Sequence, residues 1–194
     1  MKNLTLLISI FLLSFSFSQG QKVDDFSLTD ALSGNTFALQ NHAEAKAVIL
    51  IFTTVSCPFS KLYEERILDL NRRFSGDGFV FALVNPHSGQ DSEENPAAMK
   101  SRAQTQQINI PFLSDNNQSL TKQLNITKLP EAVVIASGPT GFSIAYRGAI
   151  DNNPQMAANA NVKYLENALI SIQNKRNPSP VSTRAVGCNV RRLN

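Results

Sequence analysis

The stretch Ala47-Val48-Ile49-Leu50-Ile51-Phe52-Thr53-Thr54-Val55-Ser56-Cys57-Pro58-Phe59-Ser60 decides how this chain is read. Its first part is a short apolar run without alternation, the pattern of a strand covered on both faces. Pro58 suits the first position of a helix, and the residues after it have helical periodicity. Cys57 therefore falls at a strand-to-helix junction. There the free amide groups of the first turn and the positive end of the helix dipole favour a thiolate. The thiolate is the reactive form, so Cys57 is the candidate for thiol redox chemistry. The plainer reading, a structural cysteine in a disulfide, requires no such placement.

Working outward, Phe59, Tyr63, Ile67, Leu70 and Phe74 recur at three- and four-residue steps, which predicts a helix from Pro58 to Phe74 with one apolar stripe. Gly76-Asp77-Gly78 ends it, and Phe79-Val80-Phe81-Ala82-Leu83-Val84 predicts a second central strand. Upstream, Asp25-Phe26-Ser27-Leu28 and Thr36-Phe37-Ala38-Leu39 alternate around Ser33-Gly34-Asn35 and predict a hairpin. Downstream, Asn95-Pro96 caps a helix to about Gln107, and Asn117 caps a shorter one carrying Leu120 and Leu124. Ala132-Val133-Val134-Ile135 and Phe142-Ser143-Ile144-Ala145-Tyr146 form a hairpin across Gly138-Pro139-Thr140-Gly141. A last helix over residues 162–174 buries Val162, Leu165, Leu169 and Ile172. Strands alternating with helices in this way predict an α/β domain.

The ends of the 194-residue chain read differently. Met1-Lys2-Asn3 followed by the apolar run Leu4 to Phe17, with small residues at Ser16-Phe17-Ser18 or Ser18-Gln19-Gly20, predicts a secretory signal peptide over residues 1–20. Its apolar core is short for a membrane span, and no stable membrane insertion is expected once it is removed. The domain then covers residues 21–176. An extended tail over residues 177–194 begins at Asn177-Pro178-Ser179-Pro180 and carries Cys188. From Lys175 to Cys188 the chain can reach roughly 40 Å. A domain of this size has a radius of gyration of about 15–16 Å, so the tail can cross its face to Cys57.

Formal net charge is only +3, and adjacent basic residues occur as isolated pairs, Arg72-Arg73, Lys175-Arg176 and Arg191-Arg192. Nucleic acid is not indicated as a partner. Two cysteines in an exported chain allow a single intramolecular disulfide, closing a loop of 131 residues. Chain-entropy reasoning gives such a crosslink roughly 4–5 kcal/mol. His42 and His87 lack metal-ligand spacing and read as solvated surface residues, and Asp91, Glu93 and Glu94 read as a polar lead-in to a helix.

Together, Thr53-Thr54-Val55-Ser56-Cys57-Pro58, the Leu129-Pro130 step before a hairpin, Tyr146-Arg147-Gly148-Ala149-Ile150-Asp151 and the Gly187-Cys188 ending resemble the redoxin branch of the thioredoxin-like proteins. That branch includes peroxiredoxin-like proteins and bacterial thiol–disulfide oxidoreductases. The resemblance implies a central mixed β-sheet flanked by helices, with an N-terminal β-hairpin and an extended tail. It implies Cys57 as nucleophile and Pro130 as a cis-proline facing it, with the backbone of Leu129 offered to an incoming chain. Thr54 holds the hydroxyl position three before the cysteine.

The chain departs from the pattern in three places. Ser60 stands where a second local cysteine is usual, so any resolving thiol must come from elsewhere, and Cys188 is the candidate within the chain. Leu50 replaces the proline of the peroxiredoxin motif, and Pro130 stands in place of its peroxide-holding arginine. The leading expectation is an exported (periplasmic or secreted) enzyme exchanging disulfides with protein clients through Cys57 and Cys188. An external thiol reductant restores it, and no cofactor or metal is required. The alternatives are a peroxidase that reduces hydroperoxides through a Cys57 sulfenic acid, and a non-catalytic peptide-binding module with a fixed Cys57–Cys188 staple.

Overall fold

In the computed structural model of the chain, residues 20–89 and 93–193 are described. The leader expected over residues 1–20 lies outside them apart from Gly20, and so does Asp91. The chain runs through strands β1 (Lys22–Val23), β2 (Ser27–Asp30), β3 (Thr36–Ala38) and β4 (Ala47–Phe52), helix α1 (Pro58–Phe74) and strand β5 (Phe79–Asn85). There follow α2 (Pro96–Thr105), β6 (Phe112–Ser114), α3 (Ser119–Gln123) and β7 (Lys128–Leu129). The hairpin β8 (Glu131–Gly138) and β9 (Gly141–Gly148), then α4 (Tyr164–Gln173) and β10 (Cys188–Asn189), complete the order.

Among the described residues, eight strands form one mixed sheet in the order β1-β9-β8-β4-β5-β6-β2-β3, and β10 pairs with β7 apart from it. β4 lies between β5, which is parallel to it, and β8, which is antiparallel. Every residue of β4 is buried, because its two faces serve two cores. Ala47, Ile49 and Ile51 pack with Tyr63, Ile67, Leu70 and Phe74 of α1, with Met99 and Ala103 of α2, and with Leu165 and Leu169 of α4. Val48, Leu50 and Phe52 pack on the other side with Leu120, Leu124, Ile126, Leu129 and the tail residue Val190. The unalternating apolar run is thus a strand with no solvent face.

The bounds of α1 match the predicted ones, and Asn95 caps α2 by accepting a hydrogen bond from the Ala98 amide at 2.9 Å. Several details differ. Phe59 is only half-buried, and Ser60 takes the inward position beside it. Val162 precedes α4 and is exposed, while Ala168 completes that helix's buried face. Asn117 does meet the start of α3, its side chain accepting from the Ser119 amide at 3.0 Å. It shares that role with Asp115, whose carboxyl accepts from the amides of Leu120 and Thr121, because Gln118, with φ of 58°, reverses the chain and brings Asp115 over the helix start.

Beyond α4 the tail returns across the end of β9. The Arg147 amide donates to Val181 O at 3.1 Å, and the Thr183 amide donates to Arg147 O at 3.0 Å. The Thr183 hydroxyl accepts from the Ala149 amide at 3.0 Å and lies 2.6 Å from the phenol oxygen of Tyr146. Tyr146 is fully buried, and burial pushes its pKa up to about 12, which keeps it a neutral hydrogen-bonding group. Gly148 lets the tail come this close. Its φ is +133°, and a Cβ there would lie 2.1 Å from the Thr183 carbonyl oxygen. Gly148→Ala is therefore expected to lose about 1–3 kcal/mol of stability. It should also hasten tryptic cleavage at the exposed Arg184, as thermal melts and timed digests would record.

Candidate active site

The segment between β4 and α1 has to turn sharply, and its amide groups need partners that neither element supplies. Side chains supply them. The Thr54 amide donates to Ser60 Oγ at 3.3 Å, and the Cys57 amide donates to Thr54 Oγ1 at 3.3 Å. Val55 and Ser56 donate their amides to the two carboxyl oxygens of Glu94, at 2.9 and 3.0 Å, and the Ser56 hydroxyl also donates to this carboxyl. Asn85, the last residue of β5, donates its side-chain amide to the same carboxyl at 2.9 Å.

Cys57 is the N-cap of α1, with φ of −64° and ψ of 123°, and only 4% of it is exposed. Its sulfur lies 3.6 Å from the carbonyl oxygen of Leu129. The Leu129–Pro130 bond is cis, and both residues are buried. Cys57 is bonded to Cys188, with an S–S distance of 2.02 Å and a Cα–Cα distance of 6.2 Å. Cys188 in turn pairs antiparallel with Leu129, and Asn189 with Lys128. The five residues singled out from the sequence, Cys57, Cys188, Leu129, Pro130 and Thr54, therefore meet at one place, the N-terminus of α1.

The tail segment beyond Cys188 is held along its backbone. The Val190 amide donates to Thr127 O at 3.0 Å, and the Arg191 amide donates to Nε2 of His87 at 2.9 Å. Gln118 spans the gap below, donating to Pro86 O at 3.0 Å and to Arg191 O at 2.7 Å, and accepting from the Leu193 amide at 3.0 Å. On the other side of Pro130 a cavity of about 170 Å³ is lined by Tyr63, Asp151, Tyr164, Arg184 and Val186. Asp151 accepts from the Tyr63 hydroxyl at 3.0 Å and from Arg66 at 2.7 Å. Burial, followed by the Asp151 charge, holds the Tyr63 phenol far above its ordinary pKa.

Two expectations fall here. His87 is not a solvated surface residue. It is 4% exposed, and the returning tail uses its ring nitrogen as an acceptor. His42 is partly buried against the Phe37 ring, 4.5 Å between centroids, and desolvation lowers its pKa. Glu94 is not a solvated helix lead-in, since it is fully buried under the Cys57 loop. No periodicity marks Glu94, Asn85, Gln118 or Ser60 in the sequence. The one available signal is Asn85, a polar residue closing a wholly apolar strand.

Removing the Glu94 carboxyl leaves the Val55 and Ser56 amides and the Asn85 side chain without their acceptor. Glu94→Ala should lose about 3 kcal/mol in denaturant unfolding, and Glu94→Gln about half of that, because one acceptor oxygen survives.

A model of the Redoxin family matches residues 18–168. An uncharacterized conserved protein from Geobacillus kaustophilus is similar in structure, with a TM-score of 0.81, 23% identity, and 91% of this chain and 93% of that one covered. A putative thiol:disulfide interchange protein DsbE from Chlorobium tepidum aligns with a TM-score of 0.62 at 14% identity, covering 81% of this chain and 99% of its own. Peroxidoxin BcpB from Mycobacterium tuberculosis gives 0.59 at 17% identity, with coverages of 81% and 97%. No curated protein matches the sequence. The fold is thioredoxin-like, and the chain, matched over most of its length, belongs to the redoxin family.

Proposed function

We propose that this redoxin is a thiol–disulfide exchange enzyme in which Cys57 is the attacking thiol and Cys188 the resolving one. The observation that carries the reading is the position of the Cys57–Cys188 bond. It lies over the cis Leu129–Pro130 bond, with the strand that bears Cys188 paired to Leu129. A purely structural staple would not have to end at the N-cap of a helix, where a thiolate is favoured.

In the reduced protein the Cys57 thiolate attacks a client disulfide, forming a mixed disulfide and releasing one client thiolate, which takes up a proton. The Cys188 thiolate then attacks the Cys57 sulfur, and the second client sulfur leaves as a thiolate. The client disulfide gains two electrons and the protein dithiol becomes the disulfide. An external thiol reductant reverses the change in the protein. Ser60, with its hydroxyl held against the Thr54 amide, supplies no local thiol, so resolution falls to the tail.

The same reading places the protein outside the cytosol, periplasmic or secreted, where a crosslink of this kind persists. The leader-like residues 1–20 support export. Among the described residues no helix is long and apolar enough to cross a membrane.

With reduced protein and a model disulfide, Cys57→Ser should lower the exchange rate at least about a thousandfold. Cys188→Ser should retain the first attack and accumulate the mixed disulfide, read by mass spectrometry after alkylation. Parallel oxidation by hydrogen peroxide distinguishes the peroxidase alternative. A Cys57 that reacts with peroxide orders of magnitude faster than a free thiol, yet is slow with disulfides, would overturn the exchange reading. A Cys57 inert to both would leave the fixed staple.

A further inference from the structure

Residues 186–190 sit in the site as a client would. Cys188 pairs antiparallel with Leu129 and Asn189 with Lys128, and the Val190 amide donates to Thr127 O at 3.0 Å. The sulfur of this strand is joined to Cys57, so the arrangement has the covalent and backbone geometry of a mixed disulfide with an extended segment. The tail then states what that position accepts.

Two of its residues are constrained. A Cβ on Gly187 would lie 1.9 Å from the carbonyl oxygen of Leu129, 2.7 Å from its carbonyl carbon and 3.3 Å from the nitrogen of Pro130. All three are backbone atoms of a buried step next to the cis bond, so they cannot rotate out of the way as a flexible side chain would. Val190, two residues after the cysteine, is 9% exposed and packs in the core that contains Leu120, Leu124, Ile126 and Leu129. By contrast Val186 is half exposed and Asn189 points to solvent, with its side chain accepting from Lys128 at 2.6 Å.

We propose that the groove beside Leu129–Pro130 is a sequence-reading site for extended client segments of the form Gly-Cys-x-aliphatic, and that the chain's own tail is its tethered occupant. The proposal rests on the exchange reading above and adds the partner's chemistry to it. One strand position exists alongside Leu129, so tail and client exclude one another. Client release then requires the tail to re-enter: the Cys188 thiolate attacks the Cys57 sulfur, the Cys57–client bond breaks, and the client leaves as a thiolate. Specificity arises from steric rejection at the residue before the cysteine and from apolar burial two residues after it.

The test uses the full chain with Cys188→Ser, reduced, so that Cys57 is the sole thiol. It is mixed with a decapeptide of the sequence of residues 183–192, its cysteine carried as a mixed disulfide with thionitrobenzoate. Cys57 attacks the peptide sulfur, and thionitrobenzoate leaves as a coloured thiolate. Adduct identity is read by mass spectrometry. Two further peptides carry Gly187→Ala or Val190→Asn, and all rates are divided by those with glutathione to remove intrinsic reactivity. The uncrosslinked tail competes equally with each peptide, so the ratios stand. The parent peptide should couple at least about tenfold faster than either variant, equivalent to about 1.4 kcal/mol of discrimination. Equal rates for the three peptides, or inert peptides alongside a reactive cysteamine–thionitrobenzoate disulfide, would overturn the proposal and leave the exchange reading intact. If the small disulfide is inert as well, the exchange reading fails with it.

Discussion

A strand edge must find hydrogen-bond partners, and in this protein the edge at Thr127–Leu129, which runs from the surface into the interior, sets the terms for everything near the candidate site. Leu129 is fully buried, its carbonyl oxygen lies 3.6 Å from the Cys57 sulfur at the N-terminus of α1, and its strand lies outside the main sheet. Water or a peptide strand can satisfy such an edge. Here the chain brings its own last residues back to do it, with Cys188 in register with Leu129. That register places the Cys188 sulfur within bonding distance of Cys57. Buried acceptors and donors outside the strand, His87 and Gln118, then hold the backbone that follows.

A second shortage of partners lies on the opposite side of the sulfur. The chain leaves β4 and enters α1 within a few residues, and the amides of that turn are met by Thr54, Ser60 and Glu94. This accounts for Ser60 physically. At the position where a cysteine would offer a local resolving thiol, a hydroxyl accepts from the Thr54 amide inside the protein. The loop gains a hydrogen bond and the site loses its near partner thiol.

What could be read in the sequence follows from range. Ala47 to Phe52 and the stripe Tyr63, Ile67, Leu70 and Phe74 encode burial by local pattern, so the strand, the helix and its limits were legible without a structure. The position of Cys57 at the start of α1 was legible for the same reason, since the adjoining strand and helix set it. Glu94 and His87 were not. A glutamate beside Asn95-Pro96 has the composition of a solvated turn, and only the distant Val55–Ser56 amides make it an internal acceptor. His87 is enclosed by a tail more than a hundred residues away, as the 104-residue separation of its bond to Arg191 records. Asn117 and Asp115 illustrate the finer limit. Asn117 meets the Ser119 amide from its place next to the helix, but Asp115 reaches the Leu120 and Thr121 amides only through the left-handed turn at Gln118.

Tethering gives the oxidised and reduced forms different characters. With the disulfide closed, the tail strand is covalently fixed and the Leu129 edge is fully engaged. With it open, the same strand remains attached through the helix α4 end and competes for its place at an effective concentration of about the millimolar range that short flexible linkers produce. On the exchange mechanism proposed above, a client at micromolar concentration has to overcome that advantage through its own contacts or through a covalent step. Thiol exchange would supply that step, because a mixed disulfide holds the client however briefly the tail is displaced. The tether would then favour return of the tail, which brings Cys188 to the one sulfur it has to attack. Under that proposal, strand pairing at Leu129 links recognition and release, and the position that admits the client also expels it.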